Sequence, residues 1–238
     1  IFRFLARDYV PSKENYTLAE QERMATLQEC VLHPFRRRII IATPGGIVYK
    51  LESPQRIKEQ LLPLKPGQEL VLEQVLRQLV VSGYFRVDTV SSPGEFAQRG
   101  GIIDIYPLGQ PRPYRLELYG DMIDSIRSFD VESQRSLETV SMIHIGPARE
   151  ENRLTQYTIF DYLDPDIGIM LDEPKDIKSG LELYIRRWQE SIKEAPEKAE
   201  DLKRWSFLES QELQQLLEQR SVIYHSFFPG RIVPVKAG

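Results

Sequence analysis

Cysteine is almost missing from this chain: Cys30 is the only one among 238 residues. That excludes an internal disulfide framework and suits a reducing, cytoplasmic compartment. No apolar run approaches the ~20 residues needed to span a bilayer. No basic amino-terminal segment leads into an apolar stretch, so no secretion signal is visible. The three histidines, His33, His144 and His225, are dispersed and fit neither HExxH nor another metal-ligand spacing, so each reads as structural. No G-x-S-x-G elbow presents a serine nucleophile. Cys30 lies in an apparent amphipathic helix without an activating neighbour and reads as a buried, inert thiol. A GxxxxGK[ST] phosphate loop is missing, so nothing in the chain cradles a nucleotide triphosphate and no cofactor or metal is expected.

An excess of positive charge is also lacking. Thirty-one Lys and Arg face 35 Asp and Glu, a net of −4. The imbalance is uneven: residues 1–62 carry a net of +3, residues 63–148 a net of −3 and residues 149–238 a net of −4. A module that binds nucleic acid through its phosphates normally shows a basic stripe. The only dense one is Arg36-Arg37-Arg38, three residues that lead straight into Ile39-Ile40-Ile41 and read as a solvated strand entry.

What is present is a globular composition, 41% hydrophobic and 28% charged, in a length that suits one large or two modest domains. The chain begins at Ile1, and the expectation is a piece of a longer protein. Its first third reads as alternating helix and strand. Residues 2–5 form a short strand. Thr17 to Glu20 has capping-box spacing ahead of Leu18, Met24, Leu27, Val31 and Leu32 at helical intervals. Residues 38–42 are a continuous aliphatic strand covered on both faces, closed by a turn at Pro44-Gly45-Gly46. This grammar implies a mostly parallel sheet.

Two prolines and a glycine in residues 63–67 mark a boundary. One helix follows over residues 69–82, with Leu70, Val71, Val75, Leu76, Leu79 and Val80 on its buried side. Then come short strands joined by tight turns, at residues 84–90, 102–106, 114–119, 122–129 and 137–145, an antiparallel meander packed on one helix. The last third returns to α/β: a buried strand at 167–171, a long charged helical stretch over 178–219 broken near Pro196, and a strand at 221–228. The reading is therefore an α/β domain in two parts, residues 1–62 and 149–238, with residues 63–148 inserted as an α+β domain.

Two constellations carry chemistry. The strand at 167–171 delivers Asp172 and Glu173 at its end, the arrangement a helicase uses to hold Mg²⁺ and activate water. Without a phosphate loop the two acids read as a solvated strand end or as a degenerate remnant of an NTPase. The second constellation is the run PGEFAQRGGIIDIYP (93–107) continuing through PYRLELYGD (113–121). Tyr114, Leu116 and Leu118 share one face and suit a helix; Arg115, Glu117 and Tyr119 share the other. Arg99, beside the Gly100-Gly101 pair, starts the neighbouring strand and joins that second face. Arg and aromatic side chains are enriched at binding hot spots. The plainer alternative is a surface ion pair between Arg115 and Glu117 or another acid, worth under ~1 kcal/mol.

These blocks, with Gly-Tyr-x-Arg-x-Asp at 83–88, PARE at 147–150 and Phe160-Asp161-Tyr162-Leu163 leading to LDEP, resemble the transcription-repair coupling factor family (Mfd). The match is to its amino-terminal UvrB-homology region, and Leu5-Ala6-Arg7-Asp8 and residues 39–44 extend it over nearly the whole chain. The resemblance implies a degenerate helicase-like α/β domain, similar to the first domain of UvrB, around an inserted antiparallel UvrB-interaction domain. It implies that Arg99, Arg115 and Tyr119 contact the excision-repair protein UvrA, with Tyr119 where the family usually has Phe. It also implies that RNA polymerase and DNA are engaged only by domains beyond this region. The competing reading is a UvrB-type helicase module acting on damaged DNA. One departure stands out: only some ten residues separate PARE from FDYL, where the family usually has a substantial helical stretch.

Overall fold

The computed structural model describes residues 1–6, 17–150, 156–194 and 206–226. In chain order these form β1 (Phe2–Phe4), α1 (Leu18–Leu32), β2 (Ile40–Ala42), α2 (Pro44–Ile47), α3 (Pro54–Gln60), β3 (Leu62–Leu64), α4 (Leu72–Val81) and β4 (Phe85–Arg86). There follow β5 (Glu95–Arg99), β6 (Ile102–Ile105), β7 (Tyr114–Tyr119), β8 (Met122–Phe129), β9 (Ser136–Thr139) and β10 (Ile143–Ile145). A 3₁₀ turn at Ile159–Tyr162, β11 (Ile169–Asp172), α5 (Pro174–Glu194), α6 (Ser210–Glu218) and β12 (Val222–His225) complete the described elements. The mixed α/β architecture agrees with the sequence reading. The expected break near Pro196, and Arg7-Asp8 of the LARD run, lie outside the described residues.

Parallel pairing occurs where α/β grammar predicts it, as two separate pairs, β1 with β2 and β11 with β12. Between them in sequence lies a six-stranded sheet of order β4-β5-β6-β7-β8-β9, antiparallel except for the short β4–β5 contact. The chain enters and leaves this region through adjacent antiparallel strands, with β3 and β10 in register Ile143 to Leu64 and Ile145 to Leu62. The expected single strand at 137–145 is therefore two, and its second half belongs to this entry–exit pair.

Local chemistry accounts for the helix starts. Thr17 accepts from the Glu20 amide, and Glu20 reaches back to the Thr17 amide at 3.1 Å, the capping box read from sequence. The Pro44-Gly45-Gly46 segment, expected as a turn, is the one-turn helix α2, because Pro suits the first helical position and the Thr43 hydroxyl caps the Gly46 amide.

One hydrophobic core runs from Phe4, Met24 and Leu27, through Leu64, Val75 and Leu79, to the inner face of the large sheet at Phe96, Ile103, Ile105, Leu116, Ile123 and Ile126. It continues to Leu181, Trp188, Leu208 and Leu213. Ile123 and Ile126 both face inward although three residues apart, because a β-bulge opposite the Glu117–Leu118 step inserts Asp124. Three burial expectations are corrected. Val71 and Val80 are exposed, so the buried side of α4 is narrower than its apolar content suggests. Ile39 and Ile41 near and in β2, and Met170 in β11, are exposed as well. These aliphatic runs lie in two-stranded pairs with one face open, rather than inside a sheet covered on both sides.

Candidate functional site

The outer face of the six-stranded sheet is built from rows of residues set opposite one another by strand register. Ala97, Asp104, Arg115 and Arg127 form one row across β5 to β8. Arg99, Ile102, Glu117 and Ser125 form the next, and Tyr119 opposite Met122 sits at the hairpin end. That hairpin closes with Gly120-Asp121, where Gly120 adopts φ +60°, a backbone state that glycine reaches without Cβ strain. The inner face carries Leu116 fully buried and Leu118 packed on the core, as the alternation of residues 114–119 predicts.

Arg99, Arg115 and Tyr119 therefore share a face, but they are not equivalent on it. Asp104, 1% exposed, holds both arginines. Its Oδ1 accepts from Arg115 Nε at 2.7 Å, and its Oδ2 accepts from Arg115 Nη2 and Arg99 Nη2, each at 2.8 Å. This pairing raises the Arg115 guanidinium above its ordinary pKa, with the Asp104 hydrogen bonds as the main cause. The remaining Arg115 Nη1 donates to the Gln134 carbonyl at 3.2 Å, and the guanidinium stacks 4.7 Å from the centre of the Phe129 ring. Arg115 is left 16% exposed at its side chain, whereas Arg99 is 53% exposed. Tyr119 is 85% exposed. The ion pair expected as the plain alternative does form, with Asp104 rather than Glu117. Glu117 instead accepts from the Ser125 hydroxyl at 2.9 Å and lies 3.8 Å from Arg127.

Beneath Arg115, Val90, Ala97 and Phe129 make a second, smaller apolar cluster on this outer face, flanked by Val87 and Tyr106. The turn after β8 supports it. Gln134, at φ +57°, sends its side-chain amide to the carbonyls of Val90 and Val131. Asp130 accepts from the Ser133 amide at 2.9 Å and the Ser133 hydroxyl at 2.7 Å, and these bonds hold its carboxyl below the usual range. A carboxylate whose folded pKa is depressed stabilises the fold above its unfolded pKa and loses that contribution as pH falls through the folded value. Amide-exchange protection at Ser133 is therefore expected to hold from pH 6 down to about pH 4, where an unperturbed Asp protonates, and to fall only at lower pH as Asp130 itself protonates. Protection already lost at pH 4, or unchanged well below it, would remove Asp130 as the anchor of this turn.

Asp104 is the site residue that sequence reasoning did not single out. Its signal was present: a lone acid between Ile103 and Ile105, in a strand whose other faces are aliphatic. Only strand register identifies which cations it meets.

The other constellation lies elsewhere. Asp172 and Glu173 stand at the carboxyl end of β11, just before α5. Asp172 Oδ1 is 2.7 Å from His225 Nδ1, and the Ser226 hydroxyl donates to Glu173 at 2.9 Å. Both carboxylates are engaged across the β11–β12 end, and among the described residues no group of three or more His, Cys, Asp or Glu side chains is placed to hold a metal ion. Cys30 is buried and its thiol is raised by desolvation. No helix among the described residues is long and apolar enough to cross a membrane.

Residues 62–150 match the UvrB interaction domain. The chain is similar to the transcription-repair-coupling factor of Bacillus subtilis, 44% identical over 112 residues, which is 47% of this chain and 10% of that protein. The Escherichia coli protein of the same name is 38% identical over 128 residues, 54% of this chain and 11% of that protein. UvrABC system protein B of Chlorobium limicola is 33% identical over 148 residues, 60% of this chain and 22% of that protein. The matched part of this chain thus spans about a tenth of the length of the coupling factors.

Proposed function

We propose that this chain is the amino-terminal region of a transcription-repair coupling factor and that its role is protein recruitment; the match of residues 62–150 to the UvrB interaction domain and the similarity to coupling factors support this reading. The outer sheet face docks UvrA and brings excision repair to a stalled RNA polymerase. The polymerase and DNA are engaged by parts of the protein beyond this region. In this reading residues 63–148 are an adaptor inserted into a degenerate helicase-like α/β domain formed by residues 1–62 and 149–238. The paired entry and exit strands β3 and β10 support that division.

The observation that carries the proposal is the outer face itself. Arg99 is half exposed on a buried carboxylate and lies opposite the exposed Ile102, on the sheet face that also carries the exposed Tyr119 and the Glu117–Arg127 pair. A charged anchor with an aromatic neighbour inside a polar rim is the composition of an interface hot spot. Arg99→Ala and Tyr119→Ala are each expected to weaken UvrA binding by at least about tenfold, or ~1.4 kcal/mol, in titration calorimetry. Unaltered circular dichroism would show that the fold is retained. Wild-type affinity in the double variant would overturn the assignment.

The similarity to UvrABC system protein B favours a second reading, a helicase-type module in which Asp172 and Glu173 serve a bound nucleotide. A ligand that binds only the folded state raises the melting temperature by mass action. Titration with Mg²⁺ and ATP is expected to leave the midpoint unchanged; a concentration-dependent rise would favour the helicase module.

A further inference from the structure

We infer that Asp104 is a positioning residue for the docking face: it acts on the partner through Arg99. This inference rests on the docking reading above and specifies how that face is organised. Asp104 is essentially excluded from solvent and accepts three charge-assisted hydrogen bonds, two from Arg115 and one from Arg99. Such bonds are short and directional, so one carboxylate fixes two guanidinium planes at once. The two arginines are fixed for different purposes. Arg115 is also held by the Gln134 carbonyl and the Phe129 ring and is mostly covered, so it serves as the rigid wall of the site. Among the described residues Arg99 is bound by a single Nη2 contact, and half of its side chain stays at the surface.

The charge on the face follows. Arg99, Arg115 and Asp104 together carry a net of +1, and Glu117 and Arg127 beside them balance. A partner carboxylate against Arg99, flanked by an apolar side chain over Tyr119 and Ile102, satisfies this surface. A second cation does not. Without Asp104 the long Arg99 side chain samples its full rotamer range, and ordering it on binding costs affinity.

The test uses the 238-residue chain and purified UvrA. Asp104→Asn keeps the side-chain shape and removes the charge. It is expected to weaken binding about tenfold, and to have no further effect in an Arg99→Ala background, because residues that act as one unit are not additive. If Asp104→Asn weakens binding equally in both backgrounds, its role is structural and the inference fails. If Arg99→Ala weakens binding while Asp104→Asn does not, positioning fails and docking stands. If neither substitution changes binding, the docking reading fails.

A measurement without UvrA decides positioning independently. In ¹⁵N spectra of the free protein, the Arg99 Nη groups are expected to be resolved through slowed rotation, and to average in Asp104→Asn. Arg99 groups already averaged in the wild type would overturn the inference whatever UvrA does. Should Asp104→Asn fail to fold, the same comparison is made with Asp104→Glu, which retains the charge but moves it, and is expected to broaden the Arg99 signals and lower affinity.

Discussion

Glu150→Ala lowers the unfolding free energy by about 3–5 kcal/mol, the loss expected when a buried charge is left without its partner. The charge is Arg23, in the middle of α1, which has no exposed surface. Its Nε donates to Glu150 Oε1 at 2.7 Å, and its Nη2 lies 3.4 Å from Oε2. Nη1 donates to the carbonyls of Leu5 and Gly46, and the guanidinium stacks 4.1 Å from the centre of the Phe4 ring. Alanine at position 150 leaves this cation desolvated, with only the neutral Leu5 and Gly46 carbonyls as hydrogen-bond acceptors among the described residues.

Urea unfolding of the single variant measures the loss. The double variant Arg23→Met, Glu150→Leu separates the explanation from simple crowding, because replacing both members of a buried pair by apolar groups is often close to neutral. It is expected to recover most of the loss. A Glu150→Ala variant within about 1 kcal/mol of wild type would mean that water reaches Arg23 and that the pair contributes no more than a surface bridge. Glu150 lies five residues beyond β10, so the contact also ties α1 to the exit of the region that holds the six-stranded sheet.

The second large effect comes from backbone packing. Gly46→Ala is expected to destabilise by about 3 kcal/mol, at the upper end for overpacking, because the atom in the way belongs to the main chain. A Cβ at position 46 would overlap the Phe4 carbonyl oxygen and sit 2.9 Å from its carbon. That oxygen is fixed by the Thr43 amide at 3.3 Å, and the Phe4 side chain is fully buried. Neither β1 nor α2 has room to shift without breaking the Arg23 contacts to Leu5 and Gly46. For a chain of this length the midpoint should fall by roughly 6–12 °C. Gly168→Ala is the control: a Cβ there meets nothing within 4 Å, and a surface substitution of that kind stays within about 0.5 kcal/mol. Equal losses at both positions would show that the general constraint of glycine, rather than the Phe4 carbonyl, sets the effect.

Both predictions fall where α1, β1 and α2 meet, and both concern contacts that the sequence does not display. Arg23 reads as one more polar residue in an amphipathic helix, and its partner is 127 residues away. The exposed Ile39, Ile41 and Met170 show the opposite error. An aliphatic run specifies a strand, but whether that strand is covered depends on the layers packed against it. Sequence periodicity describes one element at a time and says nothing about its neighbours. The outer valines of α4 follow the same rule.

Other features were legible because their causes are local. The capping box at Thr17 and Glu20 needs only three residues and the geometry of one helical turn. The two-faced strand at Tyr114–Tyr119 follows from the two-residue period of extended backbone, which sets Arg115 and Tyr119 on the side opposite Leu116. The motif blocks were legible in the same way, as contiguous residues.

Asp104 was not, because its role arises from the register of β5, β6 and β7 together. Their alignment brings Arg99 and Arg115, sixteen residues apart, onto one carboxylate. Residue order alone decided which side chains share a strand face. Which of those side chains is free to meet a partner, and which is spent holding another in place, was decided by pairing across strands and by burial, since hydrogen bonding and desolvation act through space rather than along the chain.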